Sequence, residues 1–210
     1  MNFRHLFSIV LAFTLLCACD KGDNSDFPIT LYAHEVSQTS DIRLFVNKKE
    51  IFDANVIRDF VGDSEYFKLP TRKDMQLSNE GICFLSKDSV LFGTMTAGFT
   101  VRKDATQFLF YSRKGEVQVN DDMVSPFLKY TDELIPLPTS LGLSYLTSEV
   151  RVGYGSYKNL ELSVLSYMQV RKFSFSAGIL LNEFNEESIN TQQSGDTLAI
   201  REYRVRFVAK

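Results

Sequence analysis

A serine block, a glycine-rich turn and scattered carboxylates are the groupings in this 210-residue chain whose residue types can do chemistry. Ser64 follows Gly62 and Asp63, and a serine becomes a nucleophile when an imidazole takes its proton. No histidine follows His34, so the block reads as a helix stop and turn. Gly153, Gly155, Ser156 and Lys158 suggest a phosphate cradle, but a P-loop needs a longer glycine span closed by Lys and Ser or Thr at a helix start. Strand-forming residues follow instead, and a hairpin turn is the reading. Glu161 and Glu202 lie on expected strands and are the candidates for a two-carboxylate glycoside hydrolysis. Both read as solvent-facing strand residues, and the chain has no Trp to serve as the best sugar-stacking platform.

Metal chemistry has little to draw on. Beyond residue 18 the chain holds one imidazole, His34, and Cys83 is the sole thiol past Cys19, too few for nitrogen and sulfur sites. The oxygen candidates are the run Asp20 to Asp26, Asn120 with Asp121 and Asp122, and Glu183 with Asn185, Glu186 and Glu187. None has the alternating spacing and glycine of a calcium loop. No cofactor and no metal is expected, and no catalytic set is complete, so the chain reads as a non-enzymatic protein.

The remaining cysteines have a different chemistry. Arg4 precedes an apolar run from Leu6 to Leu16, which Ser8 and Thr14 interrupt and which gives way to charge at Asp20. This is the layout of an export signal, too short and too broken for a membrane span of about 20 apolar residues. Leu16, Cys17, Ala18 and Cys19 resemble the cleavage box of a bacterial lipoprotein, with Leu three before and a small residue one before the modified cysteine. The resemblance covers only this N-terminal segment. It implies cleavage after Ala18, loss of Cys17 with the signal, and lipidation of Cys19. One fatty chain binds a membrane marginally and two or more hold it stably; the two or three chains of the lipoprotein class imply a permanent anchor in the envelope of a Gram-negative cell, with the outer membrane as the expected address. Residues 20–28 are polar and acidic and read as a solvated tether reaching roughly 30 Å when extended.

Removing residues 1–18 leaves 192 residues and takes away one of 23 Lys and Arg and none of 26 Asp and Glu, so the mature charge is 22 less 26, or −4. That balance argues against nucleic acid, which calls for basic clusters. Cys83 would have no partner for an intrachain disulfide, and its apolar neighbours place it as a small core residue.

What must position any site is a set of strands. Most segments alternate with the two-residue period, and "IREYRVRF" near the C-terminus is the clearest, with Tyr203, Val205 and Phe207 on one face and Glu202, Arg204 and Arg206 on the other. Four strands between Gly81 and Asn120 are joined by short turn clusters and should form an antiparallel meander. Residues 53–62 break the period: Asp53 is placed as an N-cap, Val56, Ile57, Phe60 and Val61 share a helical face, and Gly62 stands where a helix stops. A single helical turn is expected near Asn182 to Ile189. Glu133 to Leu143, with two prolines, reads as a long loop.

The expected organisation is a signal peptide at 1–18, lipidated Cys19 and tether at 19–28, and one β-rich domain at 29–210. That domain should be a single antiparallel β-barrel or β-sandwich with one short helix, and a lipocalin-like meander, as geometry alone, is the first choice. The expected partners are the membrane through the anchor, and a small apolar ligand, a glycan or an envelope protein at the β-domain. A structural or accessory subunit of an envelope complex and a carboxylate-based hydrolase are the alternatives.

Overall fold

A computed structural model describes residues 26–71, 73, 81–93, 98–115, 117–120, 127–139, 142–171 and 174–210. Leu16, Cys17, Ala18 and Cys19 lie outside the described residues, as do Asp20, Asp121 and Asp122.

The fold is built on two long strands. In chain order the strands are β1 (Ile29–Thr39), β2 (Arg43–Val46), β3 (Lys49–Ile51), β4 (Gly81–Ser86), β5 (Ser89–Phe92), β6 (Phe99–Asp104), β7 (Gln107–Tyr111), β8 (Val117–Asn120), β9 (Ile135–Thr139), β10 (Gly142–Thr147), β11 (Val150–Ser156), β12 (Asn159–Arg171), β13 (Ser174–Leu180) and β14 (Thr197–Ala209). β12 and β14 pair antiparallel from Asn159 opposite Val208 to Val170 opposite Thr197. This pairing closes an eight-stranded antiparallel barrel in the order β12, β11, β7, β6, β5, β4, β1, β14. The expected meander is its β4 to β7 wall and ends at Tyr111; β8, which the expectation included up to Asn120, pairs with β10 in a separate sheet. β-Bulges in β1, between Ala33 and Glu35 and between Val36 and Gln38, bend that strand as closure requires.

Alternation decides what the barrel contains. Leu160 and Leu162 of β12, Phe207 of β14, Ile82 and Phe84 of β4, and Phe108 and Phe110 of β7 point inward and join Phe92, Phe99 and Tyr157 in one core, while Val205 of β14 packs with Val164 and Tyr203 in a neighbouring cluster. Phe84, Phe108 and Tyr157 pack ring to ring with centroids 5.1–5.9 Å apart, filling one end of the barrel. Glu202, Arg204 and Arg206 face outward, as the alternation predicts. Cys83 does not join the core. It sits between inward Ile82 and Phe84, so the period of two turns it to the outer face, half-buried beside Thr30.

Beyond the barrel the upper halves of β12 and β14 continue into a five-stranded sheet with β13 on one side and β2 and β3 on the other. Both faces are covered. On the face continuous with the barrel interior, Leu44, Met168 and Ala199 take Val61, Ile57 and Phe60 of helix α1 (Ala54–Val61). Asp53 caps the helix by accepting from the N–H of Asn55 at 2.8 Å, and Gly62 ends it at φ 54°. Val56 departs from the expected face and lies exposed. On the opposite face Phe45, Leu165, Leu198 and Ile200 take Phe127 and Phe184. The expected turn near Asn182 is the 3-10 helix Glu186–Thr191, capped by Asn185.

The stretch expected as a loop is corrected. Residues 135–139 and 142–147 form a hairpin, β9 and β10, in a three-stranded sheet with β8. β9 is the edge strand, the place in a sheet where Pro136 and Pro138 can lack an N–H without breaking a ladder. No helix among the described residues is long and apolar enough to cross a membrane.

Candidate functional site

The candidate site is one mouth of the barrel, and its distinctive residue comes from β11. Val150 faces Tyr111 across the β7 ladder, Arg151 faces Phe110, and Gly153 faces Phe108. Since Phe108 and Phe110 point inward, so do Gly153 and Arg151. Gly153 leaves room there, since a Cβ would lie 3.0 Å from Leu160 Cδ1 and 3.1 Å from Leu162 Cδ2. Arg151, two residues toward the mouth, is held among apolar side chains with its side chain only 7% exposed.

Two aromatic rings and a carboxylate hold the guanidinium. Its central carbon lies 4.5 Å from the Phe92 ring centroid and 4.3 Å from that of Phe99, close enough for cation–π attraction in a desolvated setting. Nε donates to Glu149 Oε1 at 2.8 Å and Nη2 to Glu149 Oε2 at 3.2 Å. The two partners differ in setting, since the Glu149 side chain is 42% exposed. Glu149 is itself tied to β7: its N–H donates to Ser112 Oγ at 2.8 Å.

Beside Arg151 is a cavity of about 240 Å³, walled by Ile82, Phe92, Leu162, Val164, Val205 and Phe207. Leu181 closes one side, and Gly81 and Gly93 stand in its lining, joined by a hydrogen bond from Gly93 N–H to the Gly81 carbonyl at 2.7 Å. The arrangement can receive a small apolar body and offers a cation at its wall.

The outer wall of the barrel carries a second polar assembly. Arg206 bridges Glu35 at 3.0 Å and Glu161 at 3.1 Å, and Arg204 stacks 4.4 Å over the Tyr154 ring. Glu183 accepts from Lys129 Nζ and from Ser163 Oγ, both at 3.0 Å. Burial pushes its carboxyl up, but the hydrogen bonds from Lys129, Tyr154 and Ser163 outweigh burial and hold it below the usual range. Burial and the nearby Glu183 carboxylate push the Tyr154 phenol well above its ordinary value.

The two strand carboxylates singled out in the sequence are not brought together. Glu161 stands opposite Arg206 and Glu202 opposite Leu165, four registers or about 13 Å apart along the ladder, beyond the separation of glycosidase pairs. Glu202 Oε1 accepts from the Phe184 N–H at 2.9 Å. Glu183 and Glu202 do line one open groove with Arg204. Ser64 precedes a 3-10 turn, Glu65–Phe67, and Gly155 and Ser156 lead into the two-residue turn Tyr157–Lys158 between β11 and β12. Of the acidic run near Glu183, Asn185 caps its turn and Glu186 pairs with Arg43.

Arg151 and Glu149 were not among the sequence candidates. The available signal was Arg151 alternating with Gly153 opposite Val150 and Val152, a pattern whose apolar side is that of the valines, whereas Arg151 and Gly153 are the pair that faces the interior. No family model, no curated protein and no solved structure matches this chain.

Proposed function

We propose that this chain is a lipid-anchored protein of a bacterial cell envelope whose barrel binds a small apolar molecule in one mouth. The observation that supports binding is the cavity beside Arg151, about 240 Å³ and walled by apolar side chains. An apolar cavity of about 150 Å³ accepts a benzene-sized guest, so this one suits a small ligand rather than a drug-sized one. The anchor rests on the box Leu16, Cys17, Ala18, Cys19. Two or three acyl chains on Cys19 would hold the protein at the outer membrane, with residues 20–28 as spacer.

The test is native mass spectrometry of the full chain released from detergent after exposure to a host envelope extract. A reproducible small-molecule increment is expected, and a clean apo mass would overturn the ligand reading.

A second reading, an accessory subunit of an envelope complex, is favoured by β13. This strand is an edge of the five-stranded sheet and exposes Phe175 and Ile179, a template for strand addition by an envelope protein. On that reading Ile179→Lys abolishes a specific cross-link in intact cells.

A further inference from the structure

We infer that the ligand of the barrel mouth carries an anionic head, a carboxylate or an anion of similar shape, that takes the place of Glu149 on Arg151. The inference rests on reading the mouth as a ligand cavity and names the chemistry of its guest.

The apolar wall of the cavity does not by itself call for an arginine. Its neighbours in the cavity wall are Ile82, Phe92, Leu162, Val205 and Phe207, and replacing a buried ion pair by apolar residues of similar volume is commonly neutral or stabilising. What a guanidinium supplies, and an apolar residue does not, is a planar fork of donors that matches a carboxylate. The rings of Phe92 and Phe99 hold that fork in place while its central carbon stays within 4.5 Å of both centroids.

The pair is built asymmetrically, and that makes exchange possible. Arg151 belongs to the cavity wall; Glu149 is 42% exposed and lies outside it. When Glu149 turns away it recovers water, while the guanidinium, its side chain only 7% exposed, favours another anion on the same two donors. An incoming carboxylate accepts the Nε and Nη2 hydrogens, the charge in the mouth is conserved, and the apolar body fills the cavity. From the benzene comparison, 240 Å³ fits an alkyl chain of roughly eight carbons.

Equilibrium dialysis of radiolabelled octanoate, octanol and octylamine against the full chain in detergent, with protein-free micelles as blank, tests this at neutral pH. Octanoate is expected to bind about tenfold more tightly than octanol, a margin of the size of one charge-assisted bidentate contact, with octylamine weakest. Arg151→Met should bring octanoate to parity with octanol while octanol is unchanged. Glu149→Gln, which removes the competitor, should tighten octanoate several-fold, and it carries the test if Arg151→Met fails to fold. Equal binding of octanoate and octanol by the wild type would overturn the anionic head and leave the apolar pocket standing. No binding of any of the three above the blank would overturn both.

Discussion

Asn182 and Tyr130 hold each other by a reciprocal pair of hydrogen bonds: Asn182 Oδ1 accepts from the Tyr130 N–H at 3.2 Å and Asn182 Nδ2 donates to the Tyr130 carbonyl at 2.8 Å. The same amide donates to the Val150 carbonyl and accepts from the Glu183 N–H. A side chain only 2% exposed thus serves as backbone partner for three segments, tying the 127–130 strap to the start of β11. Asn182→Leu keeps the volume but strands buried backbone groups, and should destabilise the protein by about 2–4 kcal/mol. Urea denaturation of the two proteins measures this, and a loss below about 1 kcal/mol would show that the strap is held elsewhere.

Glu183 makes stability depend on acid. Its folded pKa lies below the ordinary value because Lys129, Tyr154 and Ser163 outweigh burial. A carboxylate depressed on folding contributes its stability in full above the unfolded pKa of about 4.3 and loses it as pH falls through the folded value. The wild type should therefore exceed Glu183→Gln in stability at pH 6, with the gap narrowing below roughly pH 4. A gap unchanged across that range would remove Glu183 from the acid response.

Two glycines with positive φ separate strain from collision. Gly155 has φ +120°, and a Cβ there would lie 2.3 Å from the Asn159 carbonyl oxygen; Gly195 has φ +93° with open space around it. Gly195→Ala should cost about 1–2 kcal/mol from backbone strain alone. Gly155→Ala adds a backbone clash inside the hairpin and should cost roughly 3 kcal/mol or more. Thermal unfolding of both variants reads the difference.

The proposed anchor has a simple chemical requirement, the thiol of Cys19. Cys19→Ser should move the protein from the membrane pellet to the soluble fraction, while Cys17→Ser leaves it in the pellet. Mass analysis showing an unmodified wild-type N-terminus would contradict the anchor directly.

Local patterns were legible where one face of a strand meets water. β14 alternates cleanly because Arg204 and Arg206 have carboxylates on the outer wall, and α1 was readable from Asp53 and Gly62. The site was less legible, since β11 is buried on both sides: Val150 and Val152 are buried although they face away from the interior. With both faces buried, alternation no longer says which one is the barrel interior. Closure was equally hidden, because a strand's pattern does not name its partners, and the choice of barrel over sandwich is made by β12 pairing with both β11 and β14. The prolines of β9 misled for a related reason: an edge position is a property of the sheet and not of the residues.

The order in which the barrel acquires its walls bears on the proposed export. β14 is laid down after every other strand, yet it is the partner of β1, β2 and β12. Until residues 197–209 have left the ribosome, three ladders lack a side and the ring stays open. A nascent chain with so many contacts between distant segments folds slowly, and one whose final seam is made last has little native structure to unravel. On the proposed export route, where the polypeptide would be threaded through a membrane before it folds, that delay would help to keep the chain in a translocatable form.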